Sequence, residues 1–137
     1  MMSTRLRQLM CSVARKPVDS LAVPQLIESL AHGQVWWADL DDAKVRPVVV
    51  LTRGRVASRL SRVLVAPVTS TIRGLPTEVV VGPAEGLRGG SVANLDNSQL
   101  IEVDRLLERC GSVQSHRWPE FCAAMQRVLG CGRGSRS

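Results

Sequence analysis

The chain has 137 residues, a length that supports one hydrophobic core and excludes two well-formed ones. Its hydrophobic fraction of 45% excludes an intrinsically disordered chain, and no stretch approaches the roughly 20 apolar residues of a membrane span. The formal charge is +6, and residues 46–88 concentrate seven arginines against two glutamates, which fits either a polyanionic partner or an ordinary solvated surface.

Four cysteines and two histidines are scattered along the chain: Cys11, Cys110, Cys122, Cys131, His32 and His116. They form no C-x-x-C pair and no histidine pair at metal-ligand spacing, so we expect no metal site and no disulfide framework. The N-terminus lacks the apolar segment of a signal peptide. We therefore expect a reduced, cytoplasmic protein in which Cys122 belongs to the core.

The predicted elements begin with helices and continue with strands. Residues 3–15 predict a basic amphipathic helix that ends before Pro17, and residues 24–30 predict a second, short helix. The segments that follow are rich in β-branched residues, are separated by turn residues, and predict seven strands. They are residues 34–40, 47–52, 63–69, 77–81, 91–94, 99–103 and 110–113, with a helical turn at 56–60. Pro67 lacks a backbone donor and therefore predicts an edge strand or a strand end.

The final helix has the clearest periodicity. Its apolar residues recur at intervals that place them on one face: Trp118, Phe121, Cys122, Met125, Val128 and Leu129. Ser115 is the expected N-cap, Pro119 fits the first turn, and Gly130 is the expected end. Many short strands followed by one packing helix predict a small, strongly bent antiparallel sheet or barrel.

Two positions carry groups suited to binding phosphate. Arg46 precedes a proline, which keeps its backbone extended, and its guanidinium can grip a phosphate with two hydrogen bonds. Thr69 ends a predicted strand and is followed by further hydroxyl groups and by Arg73, all of which can donate to phosphate oxygens. A surface arginine and a simple turn are the alternative interpretations of these two positions.

Five segments and the final helix occur in a recognisable order. The segments are GQVWWADL at 33–40, VRPVVV at 45–50, VAPVTS at 65–70, LPTEV at 75–79 and SVANLDN at 91–97. In this order and spacing they resemble the MazF/PemK/Kid toxins of bacterial toxin–antitoxin systems, over about residues 33–130. The resemblance implies a mainly β protein with α-helices, namely a small SH3-like β-barrel of the MazF/Kid/CcdB toxin type with a C-terminal packing helix.

The same resemblance suggests how the chain is organised. Residues 31–131 are the expected MazF/PemK-like toxin domain. Residues 1–30 are expected to form an N-terminal extension that is helical or partly disordered, and residues 132–137 a flexible tail.

The resemblance also implies an activity. The expected protein is the toxin of a type II toxin–antitoxin system, a homodimeric endoribonuclease that uses no metal or cofactor. It cleaves single-stranded RNA at preferred sequences and leaves 2′,3′-cyclic phosphate and 5′-hydroxyl ends. Messenger RNA is the expected substrate, with transfer and ribosomal RNA as alternatives. A MazE-like antitoxin with an acidic segment, suited to the basic residues 46–88, is the expected protein partner, and no membrane association is expected.

The family's catalytic residues fall on three positions of this chain. Arg46 matches the arginine of an Arg-Pro pair, Thr69 matches a serine or threonine at the end of the third strand, and Asp96 matches an acidic residue of Kid-like members. Cleavage requires that the 2′-hydroxyl lose a proton, that the added charge be stabilised and that the 5′-oxygen gain a proton. We expect Arg46 to stabilise the charge and help protonate the leaving oxygen. We expect Thr69 to hydrogen-bond a non-bridging oxygen and Asp96 to act as the base, directly or through water.

Further residues are expected to bind RNA: Asp42, Lys44, Ser70, Arg73 and Asn97. Asn97 stands where relatives place an RNA-contacting amide. The loop before Arg46 is short and lacks the Glu-Gln pair common in relatives, so Asp42 is an alternative base. Asn94 stands where Kid-type members have an arginine, which bears on cleavage specificity.

Two other functions are compatible with the resemblance. The same barrel in CcdB-type proteins binds DNA gyrase without catalysis, in which case Arg46 would be dispensable and the C-terminal helix would carry the activity. An inert RNA-binding barrel would retain RNA without cutting it. The combination of Arg46, Thr69 and Asp96 favours the ribonuclease over both.

Overall fold

The computed structural model describes residues 30–40, 44–57 and 59–131. These residues form seven strands: β1 (Gln34–Asp39), β2 (Val45–Val50), β3 (Arg62–Thr69), β4 (Glu78–Val81), β5 (Ser91–Asn94), β6 (Gln99–Glu102) and β7 (Leu106–Ser112). Two α-helices are present among them, α1 (Gly54–Ala57) and α2 (Trp118–Leu129). Four 3-10 turns complete the described elements: Pro83–Glu85, Leu95–Asn97, Val103–Arg105 and Ser115–Arg117.

The strands match the sequence prediction closely. All seven predicted strands are confirmed, although β7 begins earlier than predicted. The helical turn predicted at 56–60 is instead the short helix α1. The predicted helix at 3–15, nearly all of the one at 24–30, Asp42 and the tail at 132–137 lie outside the described residues.

The strands form one antiparallel sheet in the order β4-β5-β3-β2-β1-β7, with β6 paired to β3. The expected mainly β fold with a C-terminal helix is therefore confirmed. β4 and β7 end the path, and in the described part of the chain no ladder joins them, so the sheet is not closed into a complete barrel.

Pro67 lies within β3, the most extensively paired strand. One edge of β3 pairs with β2, and the other is divided between β6, opposite residues 62–65, and β5, opposite residues 68–69. The expectation that Pro67 marks an edge strand or a strand end is wrong. A proline is tolerated here because it falls in the short interval between the two pairings on the divided edge, where the ladder is interrupted.

Alternating side chains of the strands fill two cores. Val49 of β2 and Ala66 of β3 belong to the first core, which packs against α2, whereas Val48 and Val50 belong to the second. Successive side chains of a strand point to opposite faces of the sheet, so a strand that is covered on both faces contributes alternately to the two cores. The second core extends to Leu40 at the end of β1, and the candidate site lies beside that residue.

A 3-10 turn lies across the gap between β4 and β7. The turn Pro83–Glu85 follows β4 and approaches Gly111 of β7 so closely that a Cβ there would lie 2.5 Å from the Glu85 carbonyl oxygen. Glu85 is 1% exposed, and its carboxylate forms an ion pair of 2.9 Å with Arg117. Arg117 also donates to the Val80 carbonyl at 2.7 Å, so its side chain connects the start of α2 to β4 and to the turn that follows it.

The ends of α2 differ in how well the sequence predicted them. Gly130 has a φ of 70°, the left-handed conformation expected after a helix, and Pro119 lies in the first turn as expected. The prediction that Ser115 caps α2 is wrong. Ser115 instead begins the 3-10 turn that precedes the helix, and Arg117 occupies the N-cap position without a side-chain capping bond.

The cysteines of α2 and β7 differ in exposure, and one of them contradicts the sequence prediction. Cys122 is exposed rather than part of the core, because Phe121 and Ala124 occupy the inward face of α2. Cys110 is buried in β7.

Candidate active site

A cleft of about 520 Å³ lies at the end of the second core. The residues that line it follow β1, belong to β2 and β3, or form the β5–β6 connection and the start of β6: Leu40, Arg46, Pro67, Asp96, Asn97, Ser98 and Gln99. Three residues predicted from the sequence, Arg46, Asp96 and Asn97, therefore line the same cleft, although Arg46 is far from the other two in the chain.

Arg46 is the second residue of β2. It pairs with Ala38 of β1, which confirms the extended backbone expected before a proline. Arg46 is half-buried, and its ladder position places it two residues before Val48, on the face of the sheet that carries the second core. The strand thus holds the guanidinium-bearing residue at the rim of the cleft.

Asp96 and Asn97 reach the cleft because of the way their turn crosses β3. The turn Leu95–Asn97 connects β5 to β6, and both of these strands pair along the same edge of β3. The connection therefore passes Pro67, which lies between the two pairings. The side chain of Asn94 caps the turn by accepting a hydrogen bond of 3.0 Å from the Asp96 backbone N–H.

Asp96 has a partner that sequence reasoning missed. The Thr77 hydroxyl donates a hydrogen bond of 2.5 Å to Oδ2 of Asp96, and Thr77 itself is only 8% exposed. A second contact, from the Leu95 N–H to the Thr77 carbonyl at 3.0 Å, ties the same turn to the residue before β4. The only sequence signal for this relationship was the LPTEV segment, whose residues had no assigned role.

Thr69 is half-buried at the end of β3 and does not line the cleft itself. The β2–β3 register, with Val48 opposite Pro67, sets Thr69 and Arg46 at matching ends of the two strands. The Thr69 hydroxyl oxygen accepts a hydrogen bond of 3.0 Å from the Thr71 N–H, which forms a local turn. A hydroxyl has separate donor and acceptor sites, so this bond does not use the Thr69 proton.

The loop at residues 70–77 carries two of the predicted RNA-binding residues, Ser70 and Arg73, and both are exposed. Glu78 organises this loop. Its carboxylate accepts hydrogen bonds from three successive backbone N–H groups, those of Arg73, Gly74 and Leu75, at 2.9–3.2 Å. Glu78 was likewise part of the LPTEV segment without a role of its own.

Of the remaining predicted residues, Lys44 does not line the cleft and Asp42 is not among the described residues. Lys44 is exposed just before β2, and its carbonyl accepts a hydrogen bond from the Leu40 N–H at 3.1 Å. Among residues 30–40, 44–57 and 59–131, no three His, Cys, Asp or Glu side chains are grouped to hold a metal ion. No helix in those ranges is long and apolar enough to span a membrane.

Comparison with known proteins places this arrangement in a family. Residues 31–129 match the family of PemK-like, MazF-like toxins of type II toxin–antitoxin systems. "Probable endoribonuclease MazF5" of Mycobacterium tuberculosis is 40% identical over 104 residues, which is 75% of this chain and 95% of the relative. "Endoribonuclease MazF3" of the same species is 43% identical over 88 residues, covering 64% of this chain and 84% of the relative.

Solved structures agree with the sequence matches. The Mycobacterium tuberculosis toxin MazF-mt6 is 40% identical and superposes with a TM-score of 0.66 over 70% of this chain and 95% of that one. A mycobacterial endoribonuclease in complex with its cognate antitoxin is 27% identical, with a TM-score of 0.68 over 76% and 98% of the two chains. The chain belongs to the PemK-like, MazF-like toxin family.

Proposed function

We propose that this chain is the toxin of a type II toxin–antitoxin system and cleaves single-stranded RNA without a metal ion. The observation that carries the proposal is the convergence of Arg46, Asp96 and Asn97 on one cleft in a member of a family whose relatives are named endoribonucleases. The cleft thus offers one cationic side chain, one carboxylate, one hydroxyl and two amides around a space large enough for part of a nucleotide chain.

The proposed reaction is an internal transesterification. The RNA 2′-oxygen attacks the adjacent phosphorus, a bond forms between them, and the bond from phosphorus to the 5′-oxygen breaks. The products are a 2′,3′-cyclic phosphate and a 5′-hydroxyl. The proton of the 2′-hydroxyl passes to a base, and the departing 5′-oxygen takes up a proton from the protonated base or from water, so the net step needs no outside reactant.

The side chains of the cleft are assigned to these tasks by their chemistry. Asp96 is the proposed base, acting directly or through water, because arginine is very hard to deprotonate. Arg46 stabilises the charge that builds up on the phosphorane and assists protonation of the 5′-oxygen. Thr69, which lies outside the cleft at the matching end of the neighbouring strand, donates a hydrogen bond to a non-bridging oxygen.

The substrate and partner assignments rest on charge and on the relatives. Lys44, Ser70, Arg73 and Asn97 are proposed to hold the RNA on either side of the reacting phosphate, and Asp42 is kept as an RNA-binding candidate and alternative base. A MazE-like antitoxin is the proposed inhibitor, because a mycobacterial relative has been solved with its cognate antitoxin. An acidic antitoxin segment would complement the basic residues 46–88. The functional unit is proposed to be a homodimer.

A cleavage assay in EDTA tests the proposal. Wild-type protein, Arg46→Ala and the matched control Arg62→Ala, an exposed arginine at the start of β3, are incubated with a long unstructured RNA. We expect cyclic-phosphate ends, detected by mass spectrometry, from the wild type and the control, and a loss of roughly 100-fold or more in rate for Arg46→Ala. Intact RNA with persistent growth arrest in cells would instead support a non-catalytic toxin of the gyrase-binding type. RNA that is retained but uncut would support an inert RNA-binding barrel.

A further inference from the structure

The residues Thr77 and Glu78 make polar contacts that the proposed chemistry does not use. Thr77 is one of the few buried polar residues of the described chain. Glu78 follows it directly and is the first residue of β4. Neither residue lines the cleft. Thr77 nevertheless contacts Asp96 of the cleft, and Glu78 contacts the loop that carries Ser70 and Arg73.

Thr77 controls the position of Asp96 through two bonds. Its hydroxyl donates to Oδ2 of Asp96 at 2.5 Å, and its carbonyl accepts from the Leu95 N–H at 3.0 Å. The pairing of Glu78 with Asn94 in the β4–β5 ladder holds the residue that directly precedes the turn. A carboxylate held by one oxygen in this way has a restricted orientation, as is needed of a group that must accept a proton from a bound substrate.

Glu78 controls the loop that follows Thr69. Its two carboxylate oxygens accept four hydrogen bonds from the N–H groups of Arg73, Gly74 and Leu75. Gly74 has a φ of 72°, a left-handed conformation that allows the backbone to wrap around the carboxylate. Residues 70–76 are exposed, and the Glu78 N–H adds a bond of 3.0 Å to the Leu75 carbonyl, so Glu78 holds this part of the loop against the start of β4.

We infer that Thr77 and Glu78 are a pair of positioning residues for the ribonuclease, an inference that rests on the proposed function. Thr77 acts through Asp96 and sets the geometry of proton removal. Glu78 acts through the loop at 70–77 and sets the position of Ser70 and Arg73 against the RNA. Two adjacent residues at the start of β4 thus position the proposed base, Asp96, and the RNA-binding loop at residues 70–77 relative to each other.

The two halves of the inference predict different kinetic effects. Thr77→Val keeps the shape of the side chain but removes the donor, so kcat should fall roughly ten- to 100-fold while KM changes little. Thr77→Ser keeps the hydroxyl and should restore most of kcat. Glu78→Gln keeps the shape but removes the charge, so KM should rise roughly three- to tenfold with a smaller effect on kcat. Glu102→Gln, an exposed glutamate at the end of β6, is the matched control.

A double-mutant cycle and amide exchange complete the test. If Thr77 acts through Asp96, adding Thr77→Val to Asp96→Asn should lower kcat no further. Hydrogen exchange followed by NMR should show the amides of residues 73–75 exchanging roughly tenfold faster or more in Glu78→Gln and unchanged in Thr77→Val.

Each result decides one part of the inference. Additive losses in the cycle, or a kcat for Thr77→Ser as low as that for Thr77→Val, would overturn the role of Thr77. Unchanged exchange and unchanged KM in Glu78→Gln would overturn the role of Glu78. Absence of cleavage by the wild type would overturn the proposed function and the inference with it, whereas wild-type cleavage with unaltered variants would overturn the inference alone.

Discussion

The guanidinium of Arg117 lies 2.9 Å from the buried carboxylate of Glu85, although 32 residues separate them in the chain. Arg117 stands at the start of α2, and Glu85 ends the 3-10 turn after β4. The second oxygen of Glu85 accepts from the Gly82 N–H at 2.7 Å, so both oxygens of the carboxylate are satisfied. The ion pair therefore fixes the final helix to the end of the sheet that no ladder closes.

Replacing Arg117 with methionine should strongly destabilise the protein. The substitution keeps much of the side-chain volume but leaves the Glu85 carboxylate buried without its cation, which costs about 3 kcal/mol or more in free energy of unfolding. Urea denaturation measures the change. Arg127→Met, on the exposed surface of the same helix, should change stability by less than about 0.5 kcal/mol. Equal effects from the two variants would contradict a special role for the Arg117–Glu85 pair.

Acid should remove a small stabilising contribution from Glu120. The hydrogen bond from Arg117 lowers the pKa of Glu120 below its usual 4.5, and the same bond raises the pKa of Arg117. A carboxyl whose pKa is lower in the folded state stabilises the fold above its unfolded pKa and loses that effect as the pH falls through the folded value. Because the Glu120 side chain is 53% exposed, the contribution should be at most about 1 kcal/mol.

The measurement for Glu120 is the difference in unfolding free energy between wild type and Glu120→Gln as a function of pH. The difference should be greatest near neutral pH and should shrink below pH 4.5. A difference that stays constant across this range would show that the ion pair is not its source.

Gly111 should not accept even an alanine. A Cβ at this position would lie 2.5 Å from the Glu85 carbonyl oxygen and 3.2 Å from the Gly86 Cα, and both contacts are with backbone that cannot rotate away. Gly111→Ala should therefore cost about 1–3 kcal/mol in stability. Gly89→Ala is the control, since its Cβ would have a nearest neighbour at 4.0 Å. Thermal melts of both variants test the prediction, and a stable Gly111→Ala protein would contradict the close approach.

Asp96→Asn should remove most of the ribonuclease activity without unfolding the protein. The amide keeps the shape and can still contact Thr77, but it cannot accept the 2′-hydroxyl proton, so kcat should fall roughly 100- to 10,000-fold. Asp104→Asn, an exposed aspartate in another 3-10 turn, is the matched control and should retain activity. The measurement is the rate of cleavage of a defined single-stranded RNA by each variant. Substantial activity in Asp96→Asn would show that another residue is the base.

The sequence predicted what depends on local pattern. β-Branched runs and turn residues located all seven strands, and Gly130 marked the end of α2. The prediction for Pro67 was wrong because a proline shows only that one backbone donor is missing. It does not show that β5 and β6 pair with the same edge of β3 and leave a gap between them. Ser115 was misread because a 3-10 turn before a helix presents the same capping pattern as the helix itself.

The candidate site was predictable only in part, for a related reason. Arg46 and Asp96 could be placed by resemblance to a family whose order of segments is well preserved in this chain. Thr77 and Asp96, 19 residues apart, are joined by a contact that depends on how the β5–β6 connection crosses β3. Pairs of this kind, like Arg117 with Glu85, leave no periodic trace in the sequence.

The hydrogen bond from Arg117 to the Val80 carbonyl has a consequence for solubility. β4 is the last strand at one end of the sheet, and the Val80 side chain on it is 66% exposed. An edge strand with an accessible carbonyl is a template on which another extended chain can pair and begin to aggregate. Because Arg117 occupies that carbonyl, the same arginine that anchors the final helix also blocks edge-to-edge association of neighbouring molecules at β4.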